Sequence, residues 1–215
     1  KVNSENESNF SPAFYKKGIV FLSDRTAPGK YREQSPWTGK EYLDLFYSYQ
    51  IDPDNWKEPE LLRGDINGRF DEGPAVFSND NSTIYFTRTD YIGKIVEKNV
   101  KNISLLKMYS GKFSGNEWHM VAPMPFNSAD YSVGHPALST DGKTLYFVSD
   151  MPWGYGGTDL YKSTFQNGSW TEPVNLGATI NSDGNEMFPF VSHDSVLYYA
   201  SDGHIGLGGL DIYAA

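Results

Sequence analysis

Few residue types in this sequence could do chemistry, and their spacing limits what that chemistry is. The four histidines, His119, His135, His193 and His204, are scattered, and no Ser/His/Asp set follows a strained strand-to-helix elbow that would expose a nucleophile. The chain has no cysteine, which removes disulfides, thiolate zinc sites and cysteine nucleophiles together. A glycosidase needs two placed carboxylates, and sequence spacing does not give their separation. The residues thus predict no catalytic set, no metal and no cofactor, and a chain that is not an enzyme.

Two groups of acids nevertheless stand out. Asp150 and Asp159 bracket MPWGYGGT, and Asp202 and Asp211 bracket GHIGLGGL. Carboxylates beside glycine-freed carbonyls suit a calcium loop. The same carboxylates can equally accept backbone N–H bonds and fix a turn, and recurrence favours this structural role. The second group precedes three recurring prolines: Glu72, His135, and Glu186 with Asn185. If the strands they open line an axis, these side chains could converge at one mouth of a channel as a small ligand site; otherwise they are rim residues and caps.

Charge marks a third candidate. Residues 1–107 hold 15 basic and 16 acidic side chains, and residues 108–215 hold 3 and 11. Within the acidic whole, two insertions are locally basic: 25–43 with Arg25, Lys30, Arg32 and Lys40, and 88–104 with Arg88, Lys94, Lys98 and Lys101. They also carry Tyr31, Trp37, Tyr91 and Ile92, the aromatic and basic mixture of contact surfaces. Long loops on a rigid scaffold are where function concentrates. Tyr31, Arg32, Trp37, Lys40, Tyr91, Lys94 and Lys98 are therefore expected to form a docking face for a protein partner.

The elements that must position these residues emerge from internal repetition. Pro12, Pro74, Pro136 and Pro189 lie 62, 62 and 53 residues apart, and Trp56, Trp118 and Trp170 follow in the same phase. Each unit reads as four short strands. A proline opens the first, where a missing N–H does least harm. An Asx- or Gly-rich turn follows, NDNS or TDGK, then a β-branched and aromatic strand such as Leu145–Val148. A third strand begins at Asp44, Ser104, Asp159 or Asp211, and the tryptophan opens the fourth. No segment reads as helix. Four-stranded units of about 50 residues define an all-β fold, a β-propeller of antiparallel blades, because sheets stacked radially bury each other's faces. A β-sandwich would not need proline, turn and tryptophan to recur in phase. The expected blades span 8–66, 67–127, 128–181 and 182–215, the last incomplete. Three and a half blades are expected to belong to a larger ring, with six favoured.

Composition agrees with many short strands: 21 glycines and 12 prolines accompany 33 aromatic residues. A net charge of −9 argues against nucleic-acid binding. No apolar run approaches the roughly 18 residues of a membrane helix. The polar start KVNSENESNF shows no signal peptide, so the signal of an exported protein would lie upstream.

Three strings carry a resemblance: YSVGHPALSTDGKTLYFVSDMPWGYGGTDLY, EPVNLGATINSDGNEMFPF and SDGHIGLGGLDIY, with SNFSPAFYKKGIVFLSDR at the start. Together they resemble the WD40-like propeller of OmpA-family outer-membrane lipoproteins of Bacteroidota, some of which belong to the type IX secretion and gliding apparatus. That resemblance implies an exported, periplasm-facing scaffold that ties an outer-membrane complex to the envelope. Its partners would be outer-membrane or periplasmic proteins, with peptidoglycan reached only through a domain absent from these residues. A glycan- or small-ligand-binding propeller is the alternative, and a hydrolase the third reading.

Overall fold

The computed structural model describes residues 2–3, 5–27, 34–36, 38–92, 95–96, 98 and 103–215, and of Ile92 the backbone alone. Among them there is no helix. The first sheet runs β1 (Asn9–Tyr15), β2 (Gly18–Ser23), β3 (Asp44–Asp52), β4 (Asn55–Trp56), with β5 (Glu60–Leu61) also on β3. The second comprises β6 (Glu72–Phe77) and β7 (Thr83–Thr89), then, past a small hairpin of β8 (Tyr91–Ile92) and β9 (Ile95–Val96), β10 (Leu106–Ser114) and β11 (Glu117–Pro123). The third holds β12 (Val133–Leu138), β13 (Thr144–Ser149), β14 (Asp159–Gln166), β15 (Ser169–Trp170) and β16 (Val174–Asn175). The fourth is β17 (Glu186–Val191), β18 (Leu197–Ser201) and β19 (Asp211–Ala214). All pairings within these sheets are antiparallel, and β1, β6, β12 and β17 lie side by side as the inner strands of four propeller blades.

Apolar faces pressed between successive blades form the core. Tyr15, Val20, Leu22 and Leu45 of the first blade pack on Ala75, Phe77, Ile84 and Phe86 of the second. Met108 and Met124 meet Leu145 and Phe147 at the next junction, and Val148 and Leu160 meet Leu197 and Tyr199 at the third. The phased tryptophans have a packing reason. Trp118 is buried against Tyr15 of the preceding blade at 5.8 Å between centroids, and Trp170 meets Tyr85 of the preceding blade edge-on at 5.6 Å. Such aromatic pairs add about 0.5–1.5 kcal/mol beyond the area they bury.

A polar device recurs with the same period. Asn67, Asn127 and Asn181 sit in the linkers between blades, in the tripeptides Ile66-Asn67-Gly68, Phe126-Asn127-Ser128 and Ile180-Asn181-Ser182. Each amide oxygen accepts the backbone N–H of a third-strand residue: Leu45 at 2.8 Å, Met108 at 3.1 Å and Leu160 at 2.8 Å. Each amide nitrogen donates to the carbonyl of that same residue. Replacing Asn181 by Ala leaves the buried Leu160 N–H without its acceptor, an expected loss of about 1–3 kcal/mol. Urea denaturation of Asn181→Ala, compared with a surface control such as Glu172→Ala, measures it.

Candidate ligand-binding site

Every inner strand carries a β-bulge. The register slips between Phe10 and Ala13, Glu72 and Ala75, Gly134 and Ala137, and Met187 and Phe190. In three blades the bulged residue precedes a proline and has a left-handed backbone: Ser11 (φ 53°), His135 (φ 52°) and Phe188 (φ 51°). In the second blade the proline stands one register earlier, and Pro74 itself takes that place. Non-glycine residues held at positive φ cost about 1–3 kcal/mol each and gather at functional sites. Here Ser11, Pro74, His135 and Phe188 all face a single axial cavity of about 510 Å³.

The cavity wall is rich in aromatic rings and prolines. His135 stacks on Phe188 with centroids 4.5 Å apart and planes 10° apart. Phe14 and Phe190 add exposed rings to the wall. A second hollow, of about 530 Å³, lies on the outer face of the fourth blade and shares Phe188 and Phe190 with the first. No carboxylate lines the axial cavity among the described residues, and its one charged group, Lys16, holds its Nζ 4.0 Å from the centre of the Phe113 ring.

Thr87 sets the position of His135. Its Oγ1 accepts the His135 backbone N–H at 2.9 Å, the donor that the bulge frees from the ladder. The threonine fits because Gly73 and Gly134 flank it: a Cβ at either would come within 2.7 or 2.9 Å of its side chain. The imidazole Nδ1 is buried with no hydrogen-bond partner among the described residues. A bare lone pair there costs less than an unsatisfied N–H, so the neutral ring carries its proton on Nε2. Burial pulls the imidazole down from 6.5 to about 4, keeping it neutral near pH 7.

Glu72 and Glu186 are elsewhere. They occupy equivalent places at the starts of β6 and β17, paired with Arg88 and Ser201, and both are buried off the axis. Glu72 Oε1 accepts from the Gly68 N–H at 2.9 Å and from Arg88 Nε at 3.0 Å. Glu186 accepts from the Ser182 N–H at 3.0 Å and from the hydroxyls of Ser182 and Ser201, both at 2.6 Å. Of the three residues expected at the channel mouth, the structure puts only His135 on the cavity. Glu72 and Glu186 stand at the very start of their strands, where the linker N–H groups of Gly68 and Ser182 hold their carboxylates away from the cavity.

The paired aspartates bind backbone. Asp150 accepts the Ser132 N–H and Asp202 the Asn185 N–H, each at 2.6 Å. Asp159 accepts the Tyr155 N–H and Asp211 the Leu207 N–H, also at 2.6 Å. Hydrogen bonds from Asn185 hold the Asp202 carboxyl below the usual carboxylate range. Of the residues expected to form the docking face, Tyr31, Arg32, Trp37 and Lys94 lie outside the described residues. Lys40 is held by Asp24 at 3.1 Å, Lys98 is exposed on a bridge to Ser104, and Tyr91 packs edge-on against Phe70.

Sequence reasoning overlooked Ser11, Phe188 and Thr87. Thr87 had a signal: register places it with Leu22 and Val148, so one polar residue stands where the repeat is apolar.

These features define a β-propeller with an axial cavity. No protein-family model matches the sequence, and no curated protein does. Solved structures share the fold. A thermostable family-43 glycoside hydrolase aligns at a TM-score of 0.53 and 11% identity, over 95% of this chain and 74% of its own. Another glycoside hydrolase aligns at 0.53 and 11%, over 97% and 68%. A puromycin-hydrolysing peptidase of Mycobacterium tuberculosis aligns at 0.52 and 12% over 92% of this chain, which spans only 26% of that protein. At this identity the likeness establishes the fold. It also corrects the expectation that the chain is not an enzyme: hydrolases share this architecture, so absence of a familiar sequence motif is no ground for excluding catalysis.

The desolvated, partly buried His135 predicts a pH dependence. The unfolded chain takes up this proton near pH 6.5 and the folded chain only near 4, so stability is full above 6.5 and falls as the pH drops to about 4. The expected loss from this group is about 2–3 kcal/mol. Urea midpoints at pH 7, 5.5 and 4 measure it, and His135→Gln should flatten the slope.

Proposed function

We propose that this propeller binds an uncharged, hydroxyl-rich ligand of the glycan class in its axial cavity. The carrying observation is the pairing of the neutral His135 imidazole with the Phe188 ring on strained bulges facing that cavity. Exposed aromatic rings offer flat faces to the C–H surfaces of sugar rings, while Nε2–H of His135 and Ser11 Oγ offer polar anchors. A mostly apolar pocket with a few placed polar groups is the ordinary form of a small-molecule site. Strain at the bulges suits a site shaped in advance of its ligand.

This reading is preferred to an interaction scaffold because the described residues of the basic insertions are engaged within the chain or isolated, whereas the cavity is continuous. The glycoside hydrolases among the structural neighbours agree with it. The resemblance to OmpA-family propellers adds the proposal that binding takes place on the periplasmic side of an outer membrane.

Calorimetric titration with a panel of neutral oligosaccharides tests the proposal, with reducing ends assayed in the same samples to register cleavage. At least one oligosaccharide should bind, and His135→Ala and Phe188→Ala should each weaken it by about tenfold, equivalent to about 1.4 kcal/mol. Absence of binding across the panel, or unchanged affinity in both variants, would sink it.

A further inference from the structure

The loops joining the second and third strands of the third and fourth blades have a composition that folding does not explain. Trp153 is 99% exposed, Ile205 102% and Leu207 100%, with Tyr155 and Leu210 about half exposed beside them. Single exposed apolar residues are ordinary, but a group of large ones on neighbouring loops marks an interaction site. The two loops emerge at the same end of adjacent blades, because both join the second strand to the third.

They are also built to hold these side chains out. Asp159 ties the N–H groups of Tyr155 and Gly156, and Asp211 those of Leu207 and Gly208. The Gly157 N–H reaches the Gly184 carbonyl at 2.7 Å, and the Tyr213 hydroxyl reaches the Ile205 carbonyl at 3.0 Å. Trp153 is held at φ 72°, an unfavourable backbone for tryptophan, and gains no packing in return. The loops are thus ordered before they meet anything, which lowers the entropy cost of binding.

We infer that this loop face docks on a lipid bilayer, inserting Trp153, Ile205 and Leu207 at the interface of zwitterionic headgroups. Tryptophan and tyrosine prefer that interface, and apolar tips can sink into the acyl boundary without a complementary pocket. A protein partner would instead have to supply a separate socket for each tip. Charge selects the headgroup. Residues 151–158 and 203–210 contain no Asp, Glu, Lys or Arg, while the chain carries −9, which repels an anionic surface at low salt.

Co-sedimentation of the full chain with vesicles tests this, using phosphatidylcholine/phosphatidylethanolamine and the same mixture containing phosphatidylglycerol. The protein should sediment with the zwitterionic vesicles and less with the anionic ones at low salt. A Trp153→Ser/Leu207→Ser double variant, altered only at fully exposed positions, should partition about tenfold less or worse. Trp153→Phe should still bind but lose the quenching that brominated acyl chains cause in the wild type. Failure to bind either vesicle, equal binding by the double variant, or a preference for phosphatidylglycerol overturns the inference. So does a defect in the double variant confined to self-association or to binding another protein. Oligosaccharide binding in the axial cavity should be unchanged in these variants, so the two proposals fail separately.

Discussion

The propeller depends on how the start of the third strand is satisfied in its first three blades. The backbone N–H groups of Leu45, Met108 and Leu160 are buried, and Asn67, Asn127 and Asn181 accept them. A side-chain amide thus completes what a backbone ladder leaves open, and an unmet buried donor would cost about 1–3 kcal/mol. Because the asparagines belong to the linkers, the same bond fixes where the next inner strand begins. Five residues on from two of them, Glu72 and Glu186 accept the N–H groups of Gly68 and Ser182 and close the linker. Blade spacing is therefore set by short polar links at each junction as well as by the apolar faces between blades.

That spacing brings the bulges together on the axis. A bulge frees one N–H from the ladder, and the freed N–H of His135 is met by Thr87 from the neighbouring blade. At the other end of the inner strands the blades are joined by a chain of turn contacts. The Lys16 N–H donates to Asn81, Asn79 donates to the Thr140 carbonyl, and the Thr140 and Ser195 hydroxyls bond each other. The strained residues lie between two bonded rims, which can hold them in a conformation they would not choose alone.

Much of the fold was legible because period-based signals survive without knowing partners. Proline, Asx turn and tryptophan recur in phase, and each has a local or junction role that repeats per blade. The asparagine clamp was equally periodic, but Asn in a linker reads as a turn former, and its true partner is some 20 residues away. The candidate site was less legible. Glu72 and Glu186 looked axial because they precede prolines, yet whether a strand residue faces the axis depends on the bulge, and one inserted residue reverses that assignment. Ser11 and Phe188 carry no unusual chemistry in sequence; their importance comes from backbone conformation.

The second blade keeps its own buried cations off the axis. Where other blades place Ser23, Ser149 and Ser201, it has Arg88, and where they place Asp44, Asp159 and Asp211, it has Lys107. Both cations are buried. Arg88 pairs with Glu72 and donates to the carbonyls of Asp65 and Ile66, while Lys107 donates to the carbonyls of Ser128 and Tyr131. Desolvation lowers the Lys107 ammonium below its usual range, opposed by Asp90 at 3.7 Å. Buried ions of this kind add little net stability, but removing one partner strands the other. Each one binds linker carbonyls or a carboxylate off the axis, and neither cation lines the cavity. The cavity wall itself combines a neutral imidazole, the Ser11 hydroxyl, Asn79 and Asn81, prolines and aromatic rings, with the Lys16 ammonium turned onto Phe113, a surface suited to recognition by shape and hydrogen bonding.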